Sequence, residues 1–583
     1  MKPGVIALIS LFCVFDPSAP AQAIKGRLPA GRTGVPYDWS HRHLVFSEPA
    51  SPVTLGAIEQ DSRFWQQVNR KFYAGRMRNP APSASAFKHR PERPAPAKFD
   101  WSESLGTLDF ANLVNYPAKY SFDVANPFPD CVNDYVVYTL PTANPSAFNL
   151  IAFNNLYVNN EGTANCLGTT PSVLFSYNAS QNNGPLNSSP ALSEDGTQIA
   201  FVEDAGSARL NILKWKAGNV NATFGLPYNS SPLANCNTNG DVAPCEYSVQ
   251  YSTHPATLPS PYIDYANDIA YVTDDNGLVA AISPVFKGGQ PVVLYTVTVP
   301  GSQKMTPPVY DSVSKNVFVA DGTGNLYYIR TGSGSSGACA SGSAPCLGSP
   351  TVNAGDGSQI WEAPMLDSSS GTVFVFSGNG PNGTNSSVIQ TTTTLGSSRV
   401  AAIGLNGSQN AYAGTFNNDY LNNPSTGLLY ACGTNSGNVP QLYAITFSGT
   451  AMTAGPATYG PLSLATNATA CSPLTEVFNQ TTNEDELYLS VRNNCSSVIP
   501  GGCVQFFNIT SGFPSVATAA APEAGGTSGI VIDNVANVPN RVNDVPENTN
   551  IYFITLGTQT CTEYTGGVGN GNCAVKLTQS SLQ

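Results

Sequence analysis

Two stretches of equal length carry one pattern: residues 261–282 read PYIDYANDIAYVTDDNGLVAAI and residues 308–329 read PVYDSVSKNVFVADGTGNLYYI. In each, Pro is followed three residues later by Asp, and ten residues later by an aromatic inside an apolar triplet. A third copy, PMLDSSSGTVFVF, keeps the offsets. The sets are Pro261, Asp264 and Tyr271; Pro308, Asp311 and Phe318; and Pro364, Asp367 and Phe374. Looser copies begin at Pro190, Phe416, Pro473 and Gly529, and an early one lies near Tyr116. The starts fall near 116, 187, 259, 306, 361, 416, 473 and 528, mostly about 47 to 72 residues apart.

Each unit reads as a short strand, a polar turn, a β-branched or aromatic strand, a second turn and a third strand. The second turns, DDNG (274–277) and DGTG (321–324), contain Asn-Gly and Asp-Gly steps that tolerate positive φ, as tight hairpins require. The strands that follow, LVAAI and LYYI, are dense in apolar residues, as expected of sheets covered on both faces. A fourth strand is expected from segments such as PVVLYTVTV at Pro291. Helical periodicity is confined to residues 61–73, where Phe64, Trp65, Val68 and Phe72 share one side.

A period of this size with several strands per unit predicts a single all-β propeller of seven or eight four-stranded blades over residues 99–583. Eight is favoured, because eight starts are counted. The last unit ends soon after CAVKLTQ and lacks a strand, so a strand from residues 105–114 is expected to complete it. Closure matters because it removes free sheet edges. A row of β-sandwiches is the rival, but about 50 residues is thin for a self-contained core.

The N-terminus predicts export. Lys2 precedes an apolar run from Val5 to Phe15, and Ala21 and Ala23 form an A-x-A site, so residues 1–23 read as a signal peptide. No later stretch reaches the roughly 20 apolar residues of a membrane span, so no transmembrane segment is expected. The expected destination is extracellular or periplasmic. Cysteine use agrees. After Cys13 leaves with the signal, 12 remain and fall in close couples. These are Cys131 with Cys166, Cys236 with Cys245, Cys339 with Cys346, Cys432 with Cys471, Cys495 with Cys503, and Cys561 with Cys573. Short Gly, Pro and Asn loops between Cys read as disulfide-closed loops, with pairing assigned by proximity. A zinc site fits less well, since there is no C-x2-C and His is scarce.

The formal charge of −12 is unevenly split. Residues 24–98 hold 13 Lys/Arg against 5 Asp/Glu, a net of +8, and residues 99–583 hold 12 against 32, a net of −20. The first stretch also holds His41, His43 and His89, and its Pro/Ala-rich later part suits an extended linker. A basic arm on an acidic body either binds an anionic surface or lies along its own molecule, and the second reading is the simpler. The H-x-H in DWSHRH (38–43) is by itself a poor metal signal.

The P-x-φ-D … [YF]-V … D-G-x-φ-Y-x-I layout resembles the repeats of the quinoprotein-like (PQQ-repeat) β-propeller superfamily, over roughly residues 116–576. The resemblance implies the fold. It does not choose a function, because that superfamily includes dehydrogenases, outer-membrane assembly scaffolds and many proteins without a known role. Its dehydrogenases carry a quinone on the propeller axis, often with vicinal cysteines or a C-x-x-C-H haem site. This chain has neither pattern, and His254 is the one His of the propeller segment, so no family site residue is carried over.

Asp264, Asp311 and Asp367 have two readings. A ring of carboxylates could hold Ca²⁺ or act as acid and base on a glycan. A residue that recurs once per blade more simply serves the blade, accepting backbone N–H bonds at a strand end. No EF-hand loop, G-x-S-x-G elbow, H-E-x-x-H or P-loop occurs. The Gly/Ser tract 331–346 reads as a disulfide-tied loop, and the N-x-[ST] triplets at Asn178, Asn221, Asn382 and Asn508 matter only in a host that glycosylates. No cofactor is expected beyond a role for Ca²⁺, and no catalytic or metal residue is assigned. The expected function is a secreted, non-catalytic propeller that binds or scaffolds through its loops, with an extracellular protein or polysaccharide as partner and no nucleic acid. The alternative is an extracellular enzyme on the same scaffold, either a quinone-dependent dehydrogenase or a carbohydrate-active hydrolase or lyase.

Overall fold

The structure, a computed structural model, describes residues 101–578 apart from segments 109–114, 121–129, 144–146, 159–165, 219–232, 356–359, 406–410, 480–483, 498–500, 536–547 and 563–567 and a few single positions. Before Trp101 it describes only the backbone of Pro36–Tyr37, Leu44–Val45 and the start of Lys98–Ser104. The expected signal peptide 1–23, the candidate helix 61–73, His41, His43, His89 and Asn221 lie outside the described residues.

Eight antiparallel sheets follow one another along the chain and form an eight-bladed β-propeller. The innermost strands are Ala118–Tyr120, Ala191–Leu192, Tyr262–Asp264, Val309–Asp311, Met365–Asp367, Thr415–Phe416, Thr475–Asn479 and Val531–Val535, which number blades 1 to 8. They sit where the repeat starts were counted. Blade 3 shows the plan: Tyr262–Asp264, Ile269–Thr273, Leu278–Ser283 and Val292–Thr298 pair in sequence order, and the last is the strand expected from PVVLYTVTV. In blade 4 the outer place is shared by Cys346–Ser349 and Val352–Asn353, which both pair with Asn325–Arg330.

The strand that completes blade 8 is Lys98–Ser104, not the expected 105–114. It pairs antiparallel with Cys573–Thr578, so the N-terminal side of the domain closes the C-terminal blade. From Trp101 to Ser104 its residues are buried on both faces, so this strand is covered although it is the outermost of its blade.

The apolar cores lie between neighbouring sheets. One joins blades 1 and 2 through Tyr135, Phe175, Ile199 and Phe201. Others join blades 2 and 3, 5 and 6, 6 and 7, and 7 and 8, while blades 3, 4 and 5 share one. The 8–1 seam holds Trp101, which packs on Phe153 and Tyr552 and donates from Nε1 to the Leu156 carbonyl at 3.0 Å. A sheet alone would leave both faces wet; stacking around a ring covers both.

The six expected cysteine couples are all joined as disulfides. Cys131 is bonded to Cys166 with Cα atoms 5.7 Å apart, and Cys236 to Cys245 at 4.9 Å. Cys339 is bonded to Cys346 at 5.7 Å, Cys495 to Cys503 at 5.9 Å, and Cys561 to Cys573 at 5.8 Å. These five close loops within a blade. The sixth, Cys432 to Cys471 at 6.8 Å, links the second strand of blade 6 to the segment that leads into blade 7. Proximity in sequence found each partner because short loops return the chain to the strand it left. Cys166, Cys245 and Cys503 are all buried, so each bridge is anchored on the blade rather than on solvent-facing loop. Among the described residues no helix is long and apolar enough to cross a membrane.

Candidate functional site

The three repeat carboxylates stand at the ends of the inner strands of blades 3, 4 and 5, and each turns back onto its own first turn. Asp264 accepts from Asn267 N at 3.3 Å and from Asn267 Nδ2 at 2.7 Å. Asp311 accepts from Ser314 N at 3.0 Å, Ser314 Oγ at 2.6 Å and Val313 N at 3.3 Å. Burial pushes its carboxyl up, against these hydrogen bonds. Asp367 accepts from Ser370 N at 3.1 Å, from Ser370 Oγ, and from Tyr420 Oη at 2.9 Å. The geometry is that of an Asx turn repeated in these three blades. The second turns use the same device. Asp274 Oδ1 accepts from Asn276 N and Leu278 N, both at 2.8 Å, and Asp321 Oδ1 from Thr323 N at 2.9 Å and Asn325 N at 3.0 Å. Gly277 and Gly324 supply the positive φ of 86° and 90° that these turns need.

The propeller axis is built differently. Residues just ahead of the inner strands meet one another from across the ring. Tyr116 Oη (blade 1) donates to Glu362 Oε1 (blade 5) at 2.5 Å, and Glu362 Oε2 accepts from Ala413 N (blade 6) at 2.5 Å. Tyr116, Leu258 and Tyr412, with Trp361 packed against them, form one apolar cluster drawn from blades 1, 3, 5 and 6. Such residues touch only on the axis, so this end of the channel is filled by side chains. Around them runs a belt of inter-blade bonds: Gly529 N to Asn115 O at 3.1 Å, Tyr116 N to Ser189 Oγ at 2.8 Å, Ser189 N to Ser260 Oγ at 2.9 Å.

A second buried cluster marks the 8–1 seam. Lys119 Nζ lies 2.8 Å from Asp533 Oδ2 and 3.6 Å from Asp134 Oδ2, and donates to Tyr157 Oη at 2.8 Å. Tyr157 Oη reaches Asp134 Oδ2 at 2.6 Å and Asp533 Oδ2 at 2.8 Å, and Lys576 Nζ stands 5.8 Å from the centre of its ring. Burial, then the two carboxylates, pushes the Tyr157 phenol well above its ordinary range. The two lysines and two aspartates balance in charge, as a buried set must.

An open concavity among the described residues lies elsewhere. A groove of about 770 Å³ runs between blades 5 and 6, near their outer strands. Its walls carry Asn382, Asn385, Ser387, Thr434, Asn435, Gln441 and Tyr443, with Leu405, Pro456 and Pro461 beside them, and none of its lining residues is charged. Tyr443 Oη donates to Gln441 Oε1 at 2.9 Å. The walls are set by two parallel contacts between blades: Gly455–Pro456 pairs with Ala401–Ala402, and Gly404 bridges Thr434. Glycine is required where the backbones approach. A Cβ on Gly433 would stand 1.4 Å from Ile403 O, and one on Gly404, whose φ is 107°, 2.2 Å from Thr434 O.

Sequence reading did not find the groove, the axial cluster or the seam network. Each is assembled from residues of two or more blades, which no local motif reports. Among the described residues no three His, Cys, Asp or Glu side chains gather as a metal-binding group. His254 Nδ1 lies 3.8 Å from Asp274 Oδ2 with a half-exposed ring. Asn178 is buried, and Asn382 lines the groove.

No family model matches the chain, and no curated protein matches it. Solved structures do. BamB from Moraxella catarrhalis is 11% identical with a TM-score of 0.39, covering 83% of this chain and 98% of that one. Sqt1 from Saccharomyces cerevisiae is 8% identical with a TM-score of 0.44, covering 82% and 98%. A chain of a mitotic checkpoint complex is 10% identical with a TM-score of 0.37, covering 73% and 99%.

Proposed function

We propose that this chain is an exported, non-catalytic propeller of the quinoprotein-like kind that binds an uncharged, polar partner in the groove between blades 5 and 6. The groove carries the reading. On a domain whose sequence is strongly acidic, this concavity presents amides, hydroxyls, an aromatic ring and prolines and no charge. Planar amides and hydroxyls offer paired donors and acceptors, and the Tyr443 ring with Pro456 and Pro461 offers flat apolar surface. That chemistry suits a neutral polysaccharide or an extended polar stretch of an extracellular protein. Six disulfides support an oxidising compartment. The axial cluster of Tyr116, Leu258, Trp361 and Tyr412 closes one end of the axis, which leaves less room for the cofactor of the quinone-enzyme alternative.

The test is binding of the purified protein to neutral polysaccharides and to proteins of its native milieu, compared with Tyr443→Ala and Gln441→Ala. The reading expects one partner whose affinity falls about 10-fold or more in both variants, with little dependence on salt. A partner that both variants bind as well as the unmodified chain would move the site elsewhere.

A further inference from the structure

The basic arm contributes two short strands to the ring, and both lie on inner edges. Pro36–Tyr37 pairs antiparallel with blade 1, Pro36 opposite Tyr120 and Tyr37 opposite Lys119. Leu44–Val45 pairs parallel with blade 5, Leu44 opposite Leu366 and Val45 opposite Asp367. In each blade the other edge of the inner strand is already taken, by Tyr135–Thr139 and by Thr372–Ser377. The arm therefore pairs on the edges that face the axis. Blades 1 and 5 are four places apart in either direction around the ring, hence opposite. Seven residue steps join Tyr37 to Leu44, a reach of at most about 25 Å.

We propose that the strands Pro36–Tyr37 and Leu44–Val45 are a built-in occupant of the axial channel, held by strand addition to the inner edges of blades 1 and 5. Direction fits. The antiparallel pairing runs from Tyr120 toward Lys119, so the chain enters at the end of the inner strands. The parallel pairing runs from Leu366 to Asp367, so it leaves by the same mouth. The opposite mouth is the one filled by Tyr116, Trp361 and Tyr412. Charge fits too: residues 24–98 carry a net +8 and the rest of the mature chain −20. Main-chain pairing supplies the grip whatever the side chains, as in other strand additions. The consequence is that the inner edges of blades 1 and 5 form a strand-accepting site which the protein occupies itself, independently of the blade 5–6 groove.

Hydrogen exchange on the whole exported chain tests this. Adjacent N–H groups of a strand point to opposite edges, so of Leu44 and Val45 the amide aimed at Met365–Asp367 is expected to exchange at least 10-fold more slowly than in the free peptide of the same sequence. The double variant with Tyr37→Pro and Leu44→Pro is expected to speed exchange of the axis-facing amides of Ala118–Tyr120 and Met365–Asp367 while leaving residues 316–330 of blade 4 as slow as before. A protease site placed within residues 79–97 gives a second readout. After cutting, the arm of the unmodified chain is expected to co-elute with the propeller at low salt, and that of the double variant to separate. Exchange of that arm amide at the free-peptide rate, inner-strand protection that survives both prolines, or loss of the unmodified arm on cutting would each overturn the proposal.

Discussion

At the scale of single residues, two buried carboxylates share an upward shift but differ in how they are satisfied. Asp311 is committed to its turn by three hydrogen bonds from Ser314 and Val313. Asp311→Ala is expected to cost about 1–3 kcal/mol, since Ser314 N and Oγ lose a buried acceptor, and Asp311→Asn less, since one oxygen remains. Urea unfolding midpoints compare the two; equal midpoints would remove the Asx turn as the reason for the residue. Glu523 is buried with Oε1 unpartnered, Oε2 accepting from Gln559 Nε2 at 3.0 Å, and burial raises its pKa to about 8. Its folded pKa lies above its unfolded one, so between about 4.5 and 8 the folded chain holds a proton that the unfolded chain has lost. Stability from this group is therefore greatest below 4.5 and declines as pH rises to 8. Glu523→Gln is expected to raise Tm at pH 8 more than at pH 5, and a scan at both values checks the sign. The repeat aspartates were visible in sequence because their offset from Pro is fixed by one strand and one turn. Glu523 carried no such mark: its burial comes from the meeting of blades 7 and 8.

Elements were legible to the degree that their periodicity is local. The first hairpin of blades 3, 4 and 5 appears in the sequence as Asp with an aromatic seven residues later, because one strand–turn–strand unit sets both. The outermost strands were harder. Lys98–Ser104 reads as the end of a basic linker, since Lys, Asp, Ser and Glu make up most of it and the burial of Ser102, Glu103 and Ser104 leaves no mark in the sequence. Loops were paired correctly through their cysteines, and these differ in what they restrain. Cys432–Cys471 closes 39 residues across two blades, Cys339–Cys346 only 7 within one loop. On the chain-entropy account the first is worth about 4 kcal/mol and the second about 2. Replacing Cys432 and Cys471 together by Ala is expected to lower Tm clearly more than replacing Cys339 and Cys346. Calorimetry decides, and an equal loss would mean that blade 6 and blade 7 are held together without the bridge.

On the scale of the whole molecule the ring stands or falls with the 8–1 seam, where sequence distance is greatest and chain entropy most opposes contact. Lys98–Ser104 supplies the backbone pairing and Trp101 the apolar seal, but the buried set Lys119, Asp134, Tyr157, Asp533 and Lys576 decides which sheets meet. An apolar seam would accept a slipped neighbour; a charge-balanced one accepts only the partner that completes it, and any other pairing strands a buried charge. Lys119→Met is accordingly expected to cost about 3–5 kcal/mol, because Asp533 and Asp134 lose their nearest cation. The double variant with Lys119→Met and Asp533→Leu is expected to recover part of that loss, since one cation and one anion leave together. If the seam serves register, the double variant regains stability yet refolds from urea with a larger aggregated fraction than the unmodified chain. Guanidinium midpoints report the first effect and light scattering during refolding the second. A double variant as unstable as the single one would locate the value of Lys119 in its other contacts, and one that refolds as cleanly as the unmodified chain would leave closure to the strand and to Trp101 alone.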